Sequence, residues 1–288
     1  MPPALPPVDG VTHREVDLPE VRLHVAEAGA GDPVLLLHGW PQHWWEWRFV
    51  IPALAGECRL IAPDHRGFGW SGTPGFGYDP ATFAADAVGL LDALEIERAH
   101  VIGHDWGGFT GLLMGLDHPD RVRSLTLAST PHAWLPRSPA ALKNVWRIWY
   151  ALLMATPGLG ELLVRQRRFA RAMAVGAEDV LTPDVAEVYA AVLREPARAR
   201  ATSLLYRSYL KTAAASLRGD RFAGRRLTVP TRLLSGGADL AIPPDWVLGL
   251  EAHADDGRSE IVPGASHWLP ESHPDLIVAR ARELFART

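Results

Sequence analysis

Short apolar runs alternate along this chain with longer stretches in which apolar residues recur at helical spacing. The runs are nearly continuous in apolar residues, and they lie at residues 33–37, 59–62, 99–103, 122–128 and 231–234. Strands covered by helices on both faces have such a composition, because neither face meets water. Helical spacing is clearest in residues 80–95 and 274–288. The alternation predicts right-handed crossovers and a doubly wound α/β fold with a mostly parallel sheet.

Two further runs open the chain and differ in pattern from the buried ones. Residues 12–18 and 21–26 alternate moderately between apolar and polar side chains, and Pro19 and Glu20 separate them. Alternation with a period of two indicates strands that have one face in water. We therefore expect an antiparallel hairpin at the edge of the sheet.

The alternation of strands and helices stops between about Trp134 and Phe222. This stretch contains no convincing strand, and prolines such as Pro157, Pro183 and Pro196 divide its helical patterns. It carries 14 Lys and Arg against 7 Asp and Glu, a balance of +7, whereas the rest of the chain has a balance of −11. We interpret the stretch as a helical lid, or cap, inserted between two strands of the core.

Composition and charge narrow the class of protein. Of 288 residues, 48% are hydrophobic and 22% are charged, which suits a globular protein with a sizeable core. The net charge of −4 gives no sign of a surface for nucleic acid or for acidic membranes. The single Cys58 cannot form an internal disulfide, and neither a signal peptide nor a membrane-spanning run is recognisable. We expect a cytoplasmic protein without nucleic-acid or membrane partners.

The hexapeptide at residues 103–108 has the form Gly-x-nucleophile-x-Gly-Gly, with Asp105 in the nucleophile position. This is the spacing of the nucleophile elbow, a sharp strand–turn–helix connection in which Ser is the commonest nucleophile. The small residues are needed because a Cβ at these positions would collide with the neighbouring chain. The turn also places Asp105 near a helix N-terminus, which stabilises a carboxylate as the anion. The structural alternative is a tight turn with an Asp N-cap.

The turn after the run at 33–37 contains a second motif, His38-Gly39-Trp40-Pro41. In a sheet that carries a nucleophile elbow, this turn supplies one backbone N–H of the oxyanion hole. The residue after the nucleophile supplies the other. Trp40 and Trp106 are therefore the expected oxyanion donors. Pro41 restricts Trp40 to extended geometry, which helps to aim its N–H.

An acid and a base follow in the chain order that the elbow requires. Asp239 comes soon after the last apolar run and His267 lies further along, so the order is nucleophile, acid, histidine. No Asp or Glu lies between Arg123 and Glu161, which leaves Asp239 as the acid. Twelve histidines compete for the role of the base. His267 fits the order, whereas His104, next to the nucleophile, should point elsewhere.

These motifs together resemble those of the epoxide hydrolase branch of the α/β-hydrolases, whose relatives include the haloalkane and haloacetate dehalogenases. The resemblance extends from about Val21 to Phe285 and includes the loop at 64–71. It implies the α/β-hydrolase fold, a mostly parallel sheet covered by helices with an inserted helical cap. We accordingly divide the chain into a first part of the core at 1–133, the cap at 134–222 and a second part of the core at 223–288.

A carboxylate nucleophile determines the class of reaction. Asp105 needs no base to be ionised at neutral pH, and it can displace a leaving group from an sp³ carbon to form an alkyl-enzyme ester. His267, oriented by Asp239, then activates the water that hydrolyses the ester. The amides of Trp40 and Trp106 stabilise the oxyanion that forms. The leaving group is an epoxide oxygen or a halide.

Residues of the lid favour the epoxide. An epoxide oxygen leaves as an alkoxide that needs an acid, and the resemblance implies two lid tyrosines for this role. Tyr150 and Tyr206 match those positions, and Tyr209, one turn further along, is the alternative to Tyr206. Haloalkane dehalogenases usually have Asn where Trp40 stands, and haloacetate dehalogenases have arginines just after the nucleophile. The resemblance therefore implies an epoxide hydrolase that opens an epoxide to a vicinal diol.

Two alternatives stay open. A haloalkane dehalogenase would use the same Asp105, and a non-catalytic ligand-binding protein of this fold would be expected to have a broken triad. No spacing typical of a metal site or of a phosphate-binding loop is recognisable, so we expect neither a metal nor a cofactor. The expected partners are a small apolar epoxide and water. The particular epoxide and the oligomeric state, monomer or homodimer, are left open.

Overall fold

A sheet of eight strands forms the centre of the protein. The computed structural model describes residues 3–134, 149–218 and 221–288. The strands are β1 (Thr12–Asp17), β2 (Arg22–Ala28), β3 (Asp32–Leu37), β4 (Cys58–Pro63), β5 (Ala99–His104), β6 (Val122–Ala128), β7 (Thr231–Gly236) and β8 (Gly257–Val262). Their order across the sheet is β1-β2-β4-β3-β5-β6-β7-β8. The pairs β1·β2 and β2·β4 are antiparallel and the others are parallel, which confirms the predicted α/β class and its mostly parallel sheet.

Helices connect most of the strands. They are α1 (Val50–Leu54), α2 (Pro80–Ala93), α3 (Asp105–Asp117), α4 (Trp149–Ala155), α5 (Leu159–Val164), α6 (Arg168–Met173), α7 (Pro183–Leu193), α8 (Pro196–Arg218), α9 (Leu269–Ser272) and α10 (Pro274–Phe285). A 3₁₀ turn at Trp44–Phe49 precedes α1. The helical spacings found in the sequence correspond to α2 and α10. The Asp79 side chain accepts a hydrogen bond from the Thr82 N–H and so caps the start of α2.

Apolar side chains fill both faces of the sheet. In β3, Leu35 and Leu37 pack into the core on one face, and Val34 and Leu36 pack into the core on the other. All four side chains are fully buried. Successive side chains of a strand point to opposite faces, so a strand with helices on both sides is apolar at most positions rather than at every second one. This explains the continuous apolar runs of the sequence.

The two edges of the sheet differ in how well the sequence predicts them. The hairpin β1–β2 lies at one edge, as its alternating pattern predicts. The opposite edge is β8, which the sequence analysis did not predict as a strand. The first four residues of β8, Gly257 to Glu260, include no large apolar side chain. Because β8 pairs with β7 alone and is partly exposed, it does not need the apolar composition of a central strand.

Between β6 and β7, the described residues form helices joined by turns and loops, and none of them belongs to a strand of the sheet. Residues 149–218 form α4 to α8, in agreement with a helical cap, whereas residues 135–148 of the predicted cap lie outside the described residues. The boundaries at 134 and 222 stay a prediction. Apolar residues of α4 and α8 join one cluster with Phe68 and Phe83 of the core. Among the described helices, none is long and apolar enough to cross a membrane.

Candidate active site

Asp105 lies at the turn between β5 and α3, in the strained position that the motif predicts. Its φ of +49° is in the left-handed region that side chains rarely adopt. The turn has no room for larger neighbours: a Cβ added at Gly103 would lie 2.6 Å from the Gly107 carbonyl oxygen, and one added at Gly107 would lie 2.0 Å from the Leu37 carbonyl oxygen. The glycines therefore let α3 approach β3 and β5 closely and place the Asp105 carboxyl above the sheet.

Backbone amides from two segments surround the Asp105 carboxyl. The Trp40 N–H donates to its Oδ2 at 3.0 Å, and the Trp106 backbone N–H also hydrogen-bonds to it. The loop that carries Trp40 comes very near: a Cβ on Gly39 would lie 2.8 Å from the Asp105 Cβ. The Trp40–Pro41 peptide bond is cis. The structure thus brings the two expected oxyanion donors to the expected nucleophile.

His267 and Asp239 reach the same place from the end of the chain. The His267 Nδ1 lies 2.8 Å from the Asp239 Oδ2, and the His267 Nε2 lies 3.9 Å from the Asp105 Oδ1. The second distance is too long for a direct hydrogen bond. The other Asp239 oxygen accepts the N–H groups of Ala241 and Ile242 at 2.7 and 2.8 Å. These bonds hold Asp239 so that it orients the imidazole, whose Nε2 faces the nucleophile.

The charges of Asp239 and Asp105 affect the pKa of the His267 imidazole. Burial lowers the pKa of His267, but the charge and hydrogen bond of Asp239, followed by the charge of Asp105, raise this pKa to about 9. Burial raises the pKa of Asp105, and the charge of His267 together with the amides of Trp40 and Trp106 opposes that rise. The arrangement favours a cationic His267, whose charge in turn stabilises the anionic form of Asp105.

Glu46 is a buried acid of the site that the sequence analysis missed. It accepts the Gly39 N–H at 3.2 Å and lies 3.2 Å from the His104 Nδ1. The His104 Nε2 in turn lies 3.0 Å from the His267 carbonyl oxygen, so His104 points away from the nucleophile, as predicted. Burial raises the pKa of Glu46 well above its usual range and lowers the pKa of His104 to about 4, so both favour the uncharged form. A lone acid within the aromatic stretch at 44–49 is the signal that could have identified Glu46.

The lid tyrosines lie close enough to Asp105 for its charge to affect them. Burial and then the charge of Asp105 raise the pKa of Tyr150. Burial, then Tyr150 and then Asp105 raise the pKa of Tyr206. The ring centroids of Tyr150 and Tyr206 are 5.9 Å apart. Burial and Asp105 also raise the pKa of Tyr209, whose ring lies 5.6 Å from that of Trp106. The structure therefore brings all three phenols within electrostatic reach of Asp105.

The indole N–H groups of both tryptophans already have partners in α8. The Trp40 Nε1 donates to the Thr202 hydroxyl at 3.0 Å, and the Trp106 side chain hydrogen-bonds to the Tyr206 hydroxyl. The Tyr206 ring also meets the Trp40 ring edge-on, at a centroid distance of 5.0 Å. Thr202 was not predicted, because nothing in its sequence neighbourhood distinguishes it from any other helical threonine.

The described part of the chain contains no group of three or more His, Cys, Asp or Glu side chains that could hold a metal ion. The acids and histidines of the site instead pair with one another or with backbone groups. The groups that the site offers are a carboxylate, an imidazole, phenols and backbone amides.

Comparison with known proteins finds both epoxide hydrolases and haloalkane dehalogenases among the similar proteins. Residues 32–274 match the family described as the α/β hydrolase fold. A soluble epoxide hydrolase of Corynebacterium sp. (strain C12) is 31% identical over 96% of this chain and 98% of its own length. A haloalkane dehalogenase 2 of Mycobacterium tuberculosis is 32% identical over 92% of this chain and 91% of its own length.

Solved structures agree with the sequence relatives. The epoxide hydrolase CorEH, determined without ligand, superposes with a TM-score of 0.82 at 29% identity, covering 96% of this chain and 99% of that chain. The predicted α/β-hydrolase fold is thereby confirmed. Identity does not separate the two branches, because the epoxide hydrolase and the dehalogenase differ from this chain to nearly the same extent. The side chains of the site must distinguish them.

Proposed function

This chain belongs to the α/β-hydrolase fold family, and from that premise we propose that it is an epoxide hydrolase which forms a covalent ester on Asp105. Its substrate is a small apolar epoxide, its second substrate is water, and its product is a vicinal diol. Tyr150 and Tyr206 protonate the leaving oxygen, and His267 with Asp239 activates the water. The amides of Trp40 and Trp106 form the oxyanion hole.

The observation that carries the proposal is the set of donors above Asp105. A halide leaving group is best bound by N–H donors, whereas a departing alkoxide needs a proton. The indole N–H groups of Trp40 and Trp106 are bound to hydroxyls of α8, while the phenols of Tyr150 and Tyr206 lie near the carboxylate. The site therefore offers acids to the leaving group, which favours an epoxide.

In the first step, Asp105 attacks a ring carbon of the epoxide. The C–O bond of the ring breaks as the ester C–O bond forms, and a phenol gives its proton to the departing oxygen. No atom of the substrate leaves, so the intermediate is a hydroxyalkyl ester. Two phenol donors suit the two lone pairs of the epoxide oxygen. Burial among aromatic rings keeps both phenols neutral and able to donate.

In the second step, the ester changes the state of His267. Alkylation removes the negative charge of Asp105, which is one of the causes that raise the pKa of the imidazole to about 9. The pKa of His267 then falls, so the imidazolium can return a proton to the phenolate that the first step left, and the neutral imidazole can act as a base. It deprotonates a water that attacks the ester carbonyl, and the Trp40 and Trp106 amides stabilise the oxyanion. Cleavage at the acyl carbon releases the diol and restores Asp105.

Intact-mass spectrometry of the His267→Gln variant tests this proposal. Without the base, the ester should persist after incubation with styrene oxide, and the protein mass should rise by the full mass of the epoxide. Incubation with 1-bromobutane provides the contrast, because an alkyl halide would add only its alkyl group and release bromide. Peptide mapping should assign the epoxide adduct to Asp105, and the double variant with Asp105→Ala should show no adduct.

The outcomes separate the two branches and the non-catalytic alternative. An adduct with styrene oxide, and none with the bromide, supports the epoxide hydrolase. An adduct with the bromide alone would transfer the assignment to a haloalkane dehalogenase. If a panel of terminal, internal and aryl epoxides gives no adduct and no diol, the protein would be assigned as a non-catalytic ligand-binding protein.

A further inference from the structure

A buried polar cluster joins the cap to the core at a distance along the chain from the lid tyrosines, through Tyr189 of the cap helix α7. We name Gln42, Arg48, Tyr189 and Glu271 the cap–core cluster. The Tyr189 hydroxyl of α7 donates to the Glu271 Oε1, and Arg48 forms an ion pair with the same carboxylate. Tyr189 is fully buried, and the Glu271 side chain has no exposed surface.

The other bonds of the cluster close a network around the Glu271 carboxylate. The Arg48 Nη1 donates to the Tyr189 hydroxyl at 3.0 Å and to the Glu271 Oε1 at 2.9 Å. The Gln42 Nε2 donates to the same Oε1 at 3.1 Å. Three side chains from different segments thus converge on one oxygen. Such convergence specifies the relative position of the segments more narrowly than apolar packing does.

Two of these segments carry the chemistry of the proposed site. Gln42 lies two residues after Trp40, whose N–H contacts Asp105. Glu271 lies at the end of the short segment that begins with His267. Trp268 connects His267 with the cap. Its ring centroid lies 5.5 Å from that of His267, and it packs in one apolar cluster with Tyr189. The cap helix α7 is therefore connected both to an oxyanion donor and to the base.

Net stability does not account for this arrangement. Removing two charges from water carries a desolvation penalty that can equal or exceed their mutual attraction, so buried ion pairs are weak evidence for stability. Here the Arg48 side chain is 10% exposed and that of Glu271 is 0% exposed. What the cluster does contribute is geometry. Gln42, Arg48 and Tyr189 keep their hydrogen bonds to Glu271 only while the segments that carry them hold their positions.

We propose that the cap–core cluster is a positioning device for hydrolysis of the alkyl-enzyme ester. Through Glu271 and Gln42, the docked helix α7 holds the segments of His267 and Trp40 at the spacing that the attack of water on the ester requires. Attack on the epoxide depends instead on Asp105 and the lid tyrosines, none of which belongs to the cluster. The inference rests on the proposed function, since it concerns the second step of that reaction.

The Tyr189→Phe variant tests the inference. It removes the hydroxyl that joins α7 to Glu271 and leaves Arg48 paired with the carboxylate. In single-turnover experiments with styrene oxide, we expect ester hydrolysis to slow about 10- to 100-fold, the range expected for a small misplacement of reacting groups. Ring opening should change less than about 3-fold, so the ester should accumulate in the steady state.

Tyr78→Phe is the matched control. Tyr78 is also a buried tyrosine, and its hydroxyl donates to the Pro74 carbonyl oxygen at 2.7 Å, within one loop of the core. Its loss should leave the ratio of the two rates unchanged. Should Tyr189→Phe fail to fold, Gln42→Met removes the donor next to the Trp40 segment while keeping a side chain of similar shape. The same selective slowing of hydrolysis is then expected.

The outcomes distinguish a positioning role from a structural one. Selective loss of ester hydrolysis supports the inference. Equal slowing of both steps with a lower melting temperature, or no change in either rate, would overturn it. Failure of the proposed function has a different signature, because neither the wild type nor His267→Gln would then form any ester with an epoxide.

Discussion

Two sides of the candidate site are built on different principles. We call the core side, with Asp105, Asp239 and His267, the floor, and the cap side, with Tyr150 and Tyr206, the ceiling. On the floor, Asp105 and Asp239 each accept two backbone N–H groups, and the segments that hold them are strands and tight turns. In the ceiling, Tyr150 and Tyr206 lie on helices of the cap and are surrounded by aromatic rings. Charged groups occupy the floor, and neutral phenols occupy the ceiling.

The difference shows what each kind of group needs from its surroundings. A buried carboxylate is costly unless fixed dipoles point at it, and backbone amides of a rigid sheet provide these with little reorganisation. A phenol stays neutral near pH 7 and needs chiefly apolar contact and one hydrogen bond. A substitution in the ceiling should therefore be tolerated more easily than one in the floor. Four predictions test this division, beginning with the largest effect.

Replacing the nucleophile should have the largest effect. We expect Asp105→Ala to lower the rate of diol formation by about 10⁴-fold or more, as for loss of other covalent nucleophiles. Asp105→Asn is the matched variant, because Asn keeps the shape and tolerates the positive φ of this position. Both should be inactive with unchanged circular dichroism. A residual rate within 100-fold of wild type would indicate direct attack by water.

Replacing the acids of the ceiling should have a smaller effect that is confined to ring opening. We expect Tyr150→Phe and Tyr206→Phe each to slow ring opening by about 10- to 1000-fold, and the double variant nearly to stop it. Ester hydrolysis, measured on preformed ester, should persist. Tyr209→Phe serves as the comparison. If it slows ring opening more than Tyr206→Phe does, Tyr209 is the second acid.

The electrostatic coupling within the floor can be measured on His267. Its pKa is raised to about 9 from 6.5, more by Asp239 than by Asp105, since both carboxylates favour the charged imidazolium. Asp239→Asn should therefore lower the pKa of His267 more than Asp105→Asn does, and both should lower it. NMR titration checks this, with His267→Gln used to assign the resonance. A higher pKa in either variant would contradict the stated cause.

Cutting one hydrogen bond between ceiling and floor should have the smallest effect. Thr202→Val leaves the Trp40 indole N–H without its partner in a buried place. We expect the free energy of unfolding to fall by about 1–3 kcal/mol, the cost of an unsatisfied buried donor. Thr202→Ser keeps the hydroxyl, so its free energy of unfolding should fall by less. Equal denaturation midpoints for Val and Ser would show that the bond adds nothing to stability.

Much of the fold could be predicted from the sequence, because buried faces of strands and helices require apolar residues at regular positions along the chain. The central strands are apolar at most positions and the main helices of the core at helical spacing, and both patterns were recognised. Edge strand β8 was missed since partial exposure removes the requirement for apolar residues. Asp105, Asp239 and His267 could be named as candidates because the glycines of the elbow are a local signal and the order of the three residues can be read along the chain.

The sequence by itself thus determined the class of fold and the candidate triad, and the family resemblance added the candidate lid tyrosines. Only the tertiary structure decided which groups meet at the site. Trp40 and Thr202 are 162 positions apart, and Gln42 and Glu271 are 229 positions apart. A single hydrogen bond between such distant residues leaves no periodicity in either segment. Docking of the cap on the sheet decides the first pair, and packing of two segments of the core decides the second. Only in the packed protein must each buried polar group find a partner nearby.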